Sequence, residues 1–375
     1  MPRKFRIAYL SHSLRSDWNN GNAHFLRGLL SELGTLGHDV TAFEPADDWS
    51  IQNLRAESAG DDSLQQFAEL YPDLHLELYN AEQVPSIDAW RERLRDTEVV
   101  ILHEWNLPAL AHVLLDLRET LHFKLLFHDT HHRASSSPEA IQLFGTNRFD
   151  GVLAFGEALR SMYRKRFGIQ NVWTLHEAAD TRIFHPLPPA STEQDIVWIG
   201  NWGDDERSAE IRTYLLEPAA QLPQYRFTIH GVRYPQAGLE ALQAAGVAYR
   251  GYLPNLEAPR VYAESRLTVH VPRQQYSGAQ ADVLTGIPTI RVFEALACGI
   301  PLLSAPWQDT ESLFRQGDFR FVSSAEEIRV AIVDLLENPQ RAAEQAQRGL
   351  DTVLARHTCR HRAEQVTSIL EDLFA

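Results

Sequence analysis

Acid–base side chains gather at two places in the first half of the chain, each directly after an apolar run. The stretch LLFHDTHH contains His128 and Asp129, and His103–Asn106 reads HEWN after the run VVIL. An imidazole with an ordinary pKa near ~6.5 suits His128 to accept a proton from a substrate hydroxyl, and Asp129 can orient that ring or take the proton itself. Glu104 has three open interpretations: a general base, a cap for the following helix, or a substrate contact.

The same stretch raises the question of a metal ion, because three imidazoles and one carboxylate fall within His128–His132. Neighbouring side chains of an extended chain point to opposite sides, so His131 and His132 would not reach one ion together. We therefore expect no metal site and no bound cofactor.

A second candidate site lies in Thr285–Ser304, which reads TGIPTIRVFEALACGIPLLS. Pro288 and Gly299 are typical of residues near a helix start and just after a helix end. Free N–H groups at a helix start attract an anion such as a diphosphate, and Arg291 in the first turn adds a charge-assisted contact. Glu294 lies one turn later, where its carboxylate can accept both hydroxyl protons of a ribose. The alternative is a surface ion pair, since Arg291 and Glu294 are three residues apart.

Alternating short strands and helices must position these residues. We predict two α/β series, with helices over 22–36 and 108–117 in the first. The first has strands at Phe5–Ser11, Val40–Phe43, Val99–His103, Lys124–Phe127 and Gly151–Phe155; the second has strands at Asp195–Gly200, Arg226–Gly231, Ala248–Tyr252, Leu267–Val271 and Pro301–Ser304. This order indicates doubly wound parallel sheets, in which ligands bind beyond the carboxyl ends of the strands.

The chain of 375 residues is long enough for two domains. We predict an N-terminal domain at 1–183, a linker at 184–194 that contains three prolines, and a C-terminal domain at 195–355. An amphipathic helix beginning in the basic segment Arg356–Arg362 completes the chain over 356–375.

Charge and composition exclude several classes of protein. The net charge is -15, opposite to the basic surface that nucleic acid or anionic lipid selects. The three lysines all lie in the first half, so arginine or backbone must hold any phosphate in the second. Two distant cysteines, no apolar run of membrane length and no signal-peptide pattern at the N-terminus lead us to expect a cytoplasmic protein.

Four segments resemble nucleotide-sugar glycosyltransferases of the two-Rossmann GT-B fold, most closely those of the spore-maturation CgeB type. They are PTIRVFEALACG at 288–299, the turn Gln316–Asp318, the linker-like motif at 173–186, and NGNAH at 20–24. The resemblance implies two α/β domains facing across a cleft, with the donor on the second and the acceptor on the first. It implies transfer of a sugar, expected to be a hexose, from a nucleoside diphosphate sugar. The acceptor is a carbohydrate or another hydroxyl compound, and no metal ion takes part.

The resemblance also assigns roles to individual residues. The expected catalytic residues are His128, Asp129 and Glu104, and the expected acceptor contacts are His12, Asn20, Gly21 and His103. The expected donor contacts are Glu294, Arg291, Arg273, Thr289, Asn201, Arg207, His230, Gly231 and Tyr252. For Arg207 the alternative is a surface arginine, and for Tyr252 it is a side chain that faces the core.

Two departures from related family-4 enzymes leave the stereochemistry of transfer open. Gly286 stands where those enzymes usually carry a second glutamate. The second half of the chain has no lysine to match their usual phosphate-binding lysine, and Arg207 is a possible substitute. Two other functions remain possible from the sequence. One is a GT-B nucleotide-sugar epimerase, and the other is a non-catalytic protein that binds sugar nucleotides.

Overall fold

A computed structural model describes residues 3–80, 84, 86–188, 194–203, 205–272 and 288–375. The chain divides into two compact units. The first comprises the residues up to Glu177 together with Cys359–Ala375, and the second runs mainly from Ala178 to Thr358. Among the described residues, no helix is both long and apolar enough to cross a membrane.

The first unit contains a parallel sheet of seven described strands in the order β3-β2-β1-β4-β5-β6-β7. The strands are β1 Arg6–Leu10, β2 Asp39–Pro45, β3 Leu76–Tyr79, β4 Val99–His103, β5 Lys124–Asp129, β6 Gly151–Ala154 and β7 Val172–Thr174. The helices are α1 Ala23–Thr35, α2 Trp49–Ala56, α3 Gly60–Leu70, α4 Ile87–Arg93, α5 Pro108–Leu121, α6 Arg133–Ser136, α7 Pro138–Gln142 and α8 Glu157–Lys165. The central strands are apolar and buried on both faces because helices cover both sides of such a sheet.

The second unit contains a parallel sheet of six described strands in the order β10-β9-β8-β11-β12-β13. The strands are β8 Gln194–Ile199, β9 Phe227–His230, β10 Ala248–Tyr249, β11 Ser265–His270, β12 Leu302–Ser304 and β13 Arg320–Phe321. The helices are α9 Asp205–Ile211, α10 Glu217–Gln221, α11 Gln236–Ala244, α12 Ala258–Ala263, α13 Ile290–Ala297, α14 Ala325–Glu337 and α15 Pro339–Arg356, with a π-helical segment at Arg212–Leu216. Both predicted parallel sheets are therefore confirmed.

The strand order reverses once in each sheet. In the first sheet the reversal lies between β1 and β4, and in the second it lies between β8 and β11. At such a point the loops after two neighbouring strands leave toward opposite faces and open a crevice at the carboxyl edge. The candidate residues His12, His103 and Asn201 belong to these loops or strand ends.

The chain does not continue as one helix through the basic segment that follows α15. It breaks at His357 and Thr358, and helix α16 then spans Cys359–Phe374. This helix packs on α1 in the first unit, where the ring of His38 is 2.9 Å from the hydroxyl of Thr367. Arg362 is buried, and its Nε donates to the carbonyl of His176 at 2.9 Å.

The observed boundaries differ from the predicted ones by a few residues. The units divide at Glu177 and at Thr358, whereas the sequence suggested 183 and 355. Phe184, the first predicted linker residue, is fully buried, and part of the predicted linker, 189–193, lies outside the described residues. β10 ends at Tyr249, so the predicted strand Ala248–Tyr252 was too long.

A close backbone contact after β9 gives a test of the second unit. A Cβ atom on Gly231 would lie 2.0 Å from the carbonyl oxygen of Gly200. We expect Gly231→Ala to lower the free energy of unfolding by about 1–3 kcal/mol, the usual cost of overpacking. Gly34→Ala is the control, because nothing lies within 4 Å of that position and alanine favours a helix. Equal thermal stability of the two variants would contradict this packing.

Candidate functional site

Three neighbouring strands bring the predicted acid–base residues to one edge of the first sheet. β4 and β5 pair in register through His103 and His128, whose rings lie 5.9 Å apart. His12, two residues after β1, stacks on His103 with ring centres 5.5 Å apart. Glu104 and Asp129 complete the cluster, so these five predicted residues lie together in the first unit.

Glu104 and Asp129 are fully buried and interact with each other. Asp129 accepts hydrogen bonds from the hydroxyl of Tyr163 at 2.6 Å and from the N–H of His131 at 2.9 Å. Burial raises the pKa of both carboxyl groups, and the charge of Asp129 raises the pKa of Glu104 further. The bonds from Tyr163 and His131 oppose the rise at Asp129. Both shifts favour the protonated form, more strongly at Glu104, and we therefore predict that the pair shares a proton at neutral pH.

The position of Glu104 removes one of its three interpretations. Its Oε1 atom accepts a hydrogen bond from the N–H of Thr130 at 3.0 Å. Helix α5 has Leu107 at its N-cap and no side-chain cap. Glu104 therefore braces the loop after β5 and does not cap the following helix.

His128 is a buried neutral imidazole. Its Nδ1 atom lies 2.7 Å from the hydroxyl of Tyr9, and its Nε2 atom has no hydrogen-bond partner within the described part of the chain. Burial lowers the pKa of His128 to about 3. Asp129 does not orient this ring as the sequence suggested, because the two side chains leave the strand on opposite sides. Tyr9 orients it instead.

The neighbouring histidines are neutral for the same reason. Burial lowers the pKa of His12 to about 4. Burial, then the nearby rings of His12 and His128, lower the pKa of His103 well below its ordinary value. The Nε2 atom of His103 lies 2.9 Å from the hydroxyl of Thr130. The three rings are therefore polar and uncharged, and the charged groups beside them are the carboxyl pair and Arg133.

Trp105 forms the exposed border of this cluster, with 44% of its surface accessible. The guanidinium of Arg133 lies 4.7 Å from the centre of one of its rings and donates to the carbonyl of Glu104 at 2.7 Å. This cation–π contact fixes the indole beside the buried pair.

Two buried charged residues hold the loop that carries His12. Glu44 accepts hydrogen bonds from the N–H groups of Leu14 and Arg15 and pairs with the Arg15 guanidinium. Arg27 in α1 donates to the carbonyl of Leu14 at 2.6 Å.

The other two predicted acceptor residues lie in the same loop. The side-chain amide of Asn20 donates to the carbonyl of Ser13 at 3.3 Å. Gly21 follows it, half-buried, in the turn before α1.

The expectation for His131 and His132 was wrong. Their ring centres lie 3.6 Å apart because the chain bends here and enters α6, so it is not extended. Even so, the described residues contain no group of three or more His, Cys, Asp or Glu side chains placed to hold a metal ion.

The second candidate site begins where β11 ends. The ring of His270 lies 2.8 Å from the hydroxyl of Ser304 at the end of β12 and 3.1 Å from the hydroxyl of Thr289. Thr289 is the N-cap residue of α13, so His270 ties the start of this helix to the carboxyl edge of the sheet. Burial, with Arg207 as a smaller cause, lowers the pKa of His270 to about 3.

Arg291 and Glu294 form the ion pair that their spacing permits. Glu294 is nevertheless fully buried, whereas Arg291 keeps part of its surface exposed. Burial first and the charge of Glu294 second raise the pKa of Tyr262 and the pKa of Cys298. Arg291 and Glu294 therefore do form an ion pair, but it is not the surface pair of the alternative interpretation, because the carboxylate of Glu294 is buried.

Other predicted donor residues follow β8 and β9. Asn201 accepts from the N–H of Val232 at 2.9 Å, and the carbonyl of His230 accepts from Gly200 at 2.8 Å. Burial, then Arg250 and Arg260, lower the pKa of His230 to about 4.

Gly231, Arg207 and Tyr252 complete this group. The carbonyl of Gly231 accepts from the hydroxyl of Tyr249 at 2.7 Å. Arg207 lies 5.5 Å from the centre of a Trp198 ring and is half-buried, as is Tyr252. Arg273 and Gly286 lie outside the described residues.

Sequence reasoning missed several residues that build the two sites. Tyr9 and Tyr163 orient His128 and Asp129, and His270 anchors α13. One feature of the sequence could have identified Tyr9 and His270: each is a polar side chain within or at the end of an apolar strand.

Residues 207–368 match the family model described as Glycosyl transferase-like. This match covers less than half of the chain. No curated protein sequence matches this chain significantly.

Several solved structures match over nearly the whole chain. HepE from Anabaena, in complex with UDP and glucose, is 16% identical with a TM-score of 0.69, covering 98% of this chain and 100% of that chain. Sucrose-phosphate synthase from Thermosynechococcus elongatus is 16% identical with a TM-score of 0.67 and 99% coverage of each chain. S. aureus TarM, in complex with fondaparinux, alpha-GlcNAc-glycerol and UDP, is 10% identical with a TM-score of 0.68 and 99% coverage of each chain. These likenesses confirm the GT-B fold with its two Rossmann-like parallel-sheet domains.

The shared proton predicts a pH dependence of stability. Above the ordinary pKa of 4.5, unfolded Glu104 loses its proton and folded Glu104 keeps it. The free energy of unfolding therefore falls as pH rises, by up to about 1.4 kcal/mol per pH unit. We expect a smaller fall in Glu104→Gln, measured by denaturant unfolding at about pH 5 and pH 8.

The exposed residue Glu119 on α5 supplies the control, and Glu119→Gln should follow the wild type. If the free energy of unfolding of Glu104→Gln fell with pH as much as that of the wild type, Glu104 would not be the group that holds the proton.

Proposed function

We propose that this protein is a glycosyltransferase that moves a sugar from a nucleoside diphosphate sugar to a hydroxyl group of a carbohydrate or similar acceptor. The observation that carries the proposal is the buried carboxylate of Glu294, paired with Arg291 at the start of α13. It lies within the segment that matches the glycosyl transferase-like family model. UDP is present in the structures of HepE and TarM, which supports a nucleotide donor.

The second unit has the groups that a nucleoside diphosphate requires. Glu294 accepts the two ribose hydroxyls, and Arg291 moves to the diphosphate when the nucleotide enters. Thr289 and the first N–H groups of α13 add neutral donors at the same place. His230, Gly231 and Tyr252 line the base position, and Arg207 contributes positive charge beside β8. Because these groups neutralise a leaving diphosphate, we propose that transfer needs no metal ion and no cofactor.

The first unit supplies the proton transfer. As the glycosidic bond forms, the acceptor hydroxyl gives up its proton, and the nucleoside diphosphate leaves with the electrons of the broken bond. We propose that the Nε2 atom of His128 contacts this reacting centre, because Tyr9 holds the other ring nitrogen and Nε2 has no hydrogen-bond partner within the described part of the chain. Asp129 is the ionised member of the carboxyl pair and offers a second base, with Glu104 as its proton-holding partner. His12, His103, Asn20 and Gly21 contact the acceptor.

Finer assignments rest on the sequence resemblance and stay proposals. They are the CgeB-type branch, a hexose as the transferred sugar, and a cytoplasmic location. The product anomer decides between retention and inversion.

A ligand screen followed by a product assay tests the proposal. Thermal stability is measured with UDP, dTDP, GDP and CMP sugars, and a ligand at 100 times its dissociation constant should stabilise the fold by about 2.7 kcal/mol. The selected donor is then incubated alone and with a panel of acceptors, with and without EDTA. Transfer that EDTA leaves unchanged is expected. An epimer formed from donor alone would indicate the epimerase, and binding without turnover would indicate a non-catalytic protein.

Replacing the ribose ligand tests the donor site. We expect Glu294→Gln to weaken nucleotide binding by about 10- to 100-fold, because charge-assisted hydrogen bonds contribute roughly 1.5–3 kcal/mol. Glu326→Gln is the matched control, since Glu326 also pairs with an arginine three residues away but is exposed. Calorimetric titration measures both, and unchanged affinity in Glu294→Gln would rule out the assignment.

Removing the imidazole tests the reacting centre. We expect His128→Ala to lower kcat by roughly 10²–10⁴ with little change in nucleotide affinity, because proton transfer acts in the transition state. His75→Ala is the control, since His75 is exposed on the same unit. Full turnover by folded His128→Ala protein would move the chemistry to the Glu104–Asp129 pair.

A further inference from the structure

A cavity of about 580 Å³ opens in the second unit, away from the candidate donor residues. Its walls come from the loop before β13, from β13 itself and from helices α14 and α15. Gln345 in this wall donates to the carbonyl of Leu302, the first residue of β12, so the cavity lies toward the amino edge of the strands. The donor candidates follow the carboxyl edge, and none of them lines the cavity. Its volume is in the range of roughly 300–1,000 Å³ that small-molecule sites occupy.

Four arginines and three carboxylates line the cavity, and one of these arginines, Arg315, pairs with the buried Asp318. Arg320 and Arg341 share one carboxylate, that of Asp334, at 3.1 and 2.7 Å, so this triad retains one positive charge. Arg348 is exposed and has no ion-pair partner within the described part of the chain. Its Nε donates to the carbonyl of Gly317 at 3.2 Å, which leaves its terminal nitrogens for a ligand.

Two further carboxylates line the cavity without pairing to Arg348. Asp309 accepts from the N–H groups of Leu313 and Phe314 at 2.9 and 2.8 Å. Glu344 accepts from the side chain of Gln340 at 3.2 Å. A carboxylate or phosphate can therefore meet Arg348 through two parallel hydrogen bonds.

Aromatic rings form the other wall. Phe321 at the edge strand β13 lines the cavity and leaves 46% of its surface exposed. Its ring packs at 82° on that of Phe319, 5.0 Å away, and Phe319 stacks on Trp307. This support makes Phe321 a fixed surface for an apolar or aromatic group.

From these walls we infer that the cavity binds a small organic anion. A phosphate or carboxylate group of this ligand meets Arg348, and an apolar or aromatic body joined to it packs on Phe321. The site is additional to the proposed donor site, and both lie within the second unit.

Phenyl phosphate is the probe that tests this inference, with inorganic phosphate and phenol as its two halves. Binding to the full chain is measured by ligand-observed NMR while UDP is present in excess. We expect phenyl phosphate to bind with a dissociation constant on the order of 1 mM or lower, at least about 10-fold tighter than either half. No binding of phenyl phosphate, or competition between it and UDP, would overturn the inference.

Substitutions locate the binding. Arg348→Ala should reduce the affinity of phenyl phosphate to that of phenol, and Phe321→Ala should reduce it to that of inorganic phosphate. Arg329→Ala and Val330→Ala are matched controls on α14, outside the cavity wall, and should bind as the wild type does. Unchanged binding in Arg348→Ala and Phe321→Ala would place the probe elsewhere and overturn the inference. Failure of UDP to bind would count against the proposed donor site alone and leave this test intact.

Discussion

The burial of Glu104 and Asp129 side by side is the constraint on which the first candidate site depends. Two ionised carboxylates are very costly in a region without water, so the pair must share a proton and receive hydrogen bonds. Tyr163 from α8 and the backbone of Thr130 and His131 supply those bonds. The chain after β5 therefore bends at once, which brings the rings of His131 and His132 together.

The three histidines add no charge to this edge. His12, His103 and His128 lie close to one another, and three protonated rings at this spacing would repel one another strongly. Burial keeps each ring neutral at physiological pH. A neutral imidazole offers one hydrogen-bond donor and one acceptor, so the cluster is polar although its rings carry no charge. The surrounding charges, Glu44, Arg15 and Arg27, pair with one another or with backbone groups.

The second unit also holds a buried carboxylate, that of Glu294. His270 bonds two hydroxyls at once and fixes the start of α13 at the carboxyl edge. Glu294 is then buried one turn into that helix, where Arg291 balances its charge. A partly buried ion pair contributes little to stability by itself, so its presence at the carboxyl edge of the sheet supports the proposed role in binding.

Much of this arrangement was predictable because short apolar runs mark the strands and polar residues follow them. His103, His128 and Asp129 were identified in this way, since each comes at the end of such a run. Tyr163 was not, because its contact with Asp129 joins residues 34 positions apart and depends on how α8 packs.

The bend at His131 escaped sequence reasoning, whereas a helix start within Arg356–Arg362 was predicted and only the break at His357 and Thr358 before it was not. Each depends on tertiary hydrogen bonds, and neither has a glycine or proline to mark it. The ring of His357, for example, bonds the carbonyl of Leu313 at 2.7 Å. The roles of Arg273 and Gly286 stay predictions, since both lie outside the described residues.

Infrared spectroscopy of the carboxyl groups tests most directly whether Glu104 holds a proton in the folded protein. At about pH 8 an ordinary glutamate is ionised, so a protonated carboxyl stretch at that pH marks a buried acid. The account predicts such a band in the wild type and in Glu119→Gln, and its loss in Glu104→Gln. A wild-type spectrum without the band, or a band that persists in Glu104→Gln, would contradict the shared-proton site.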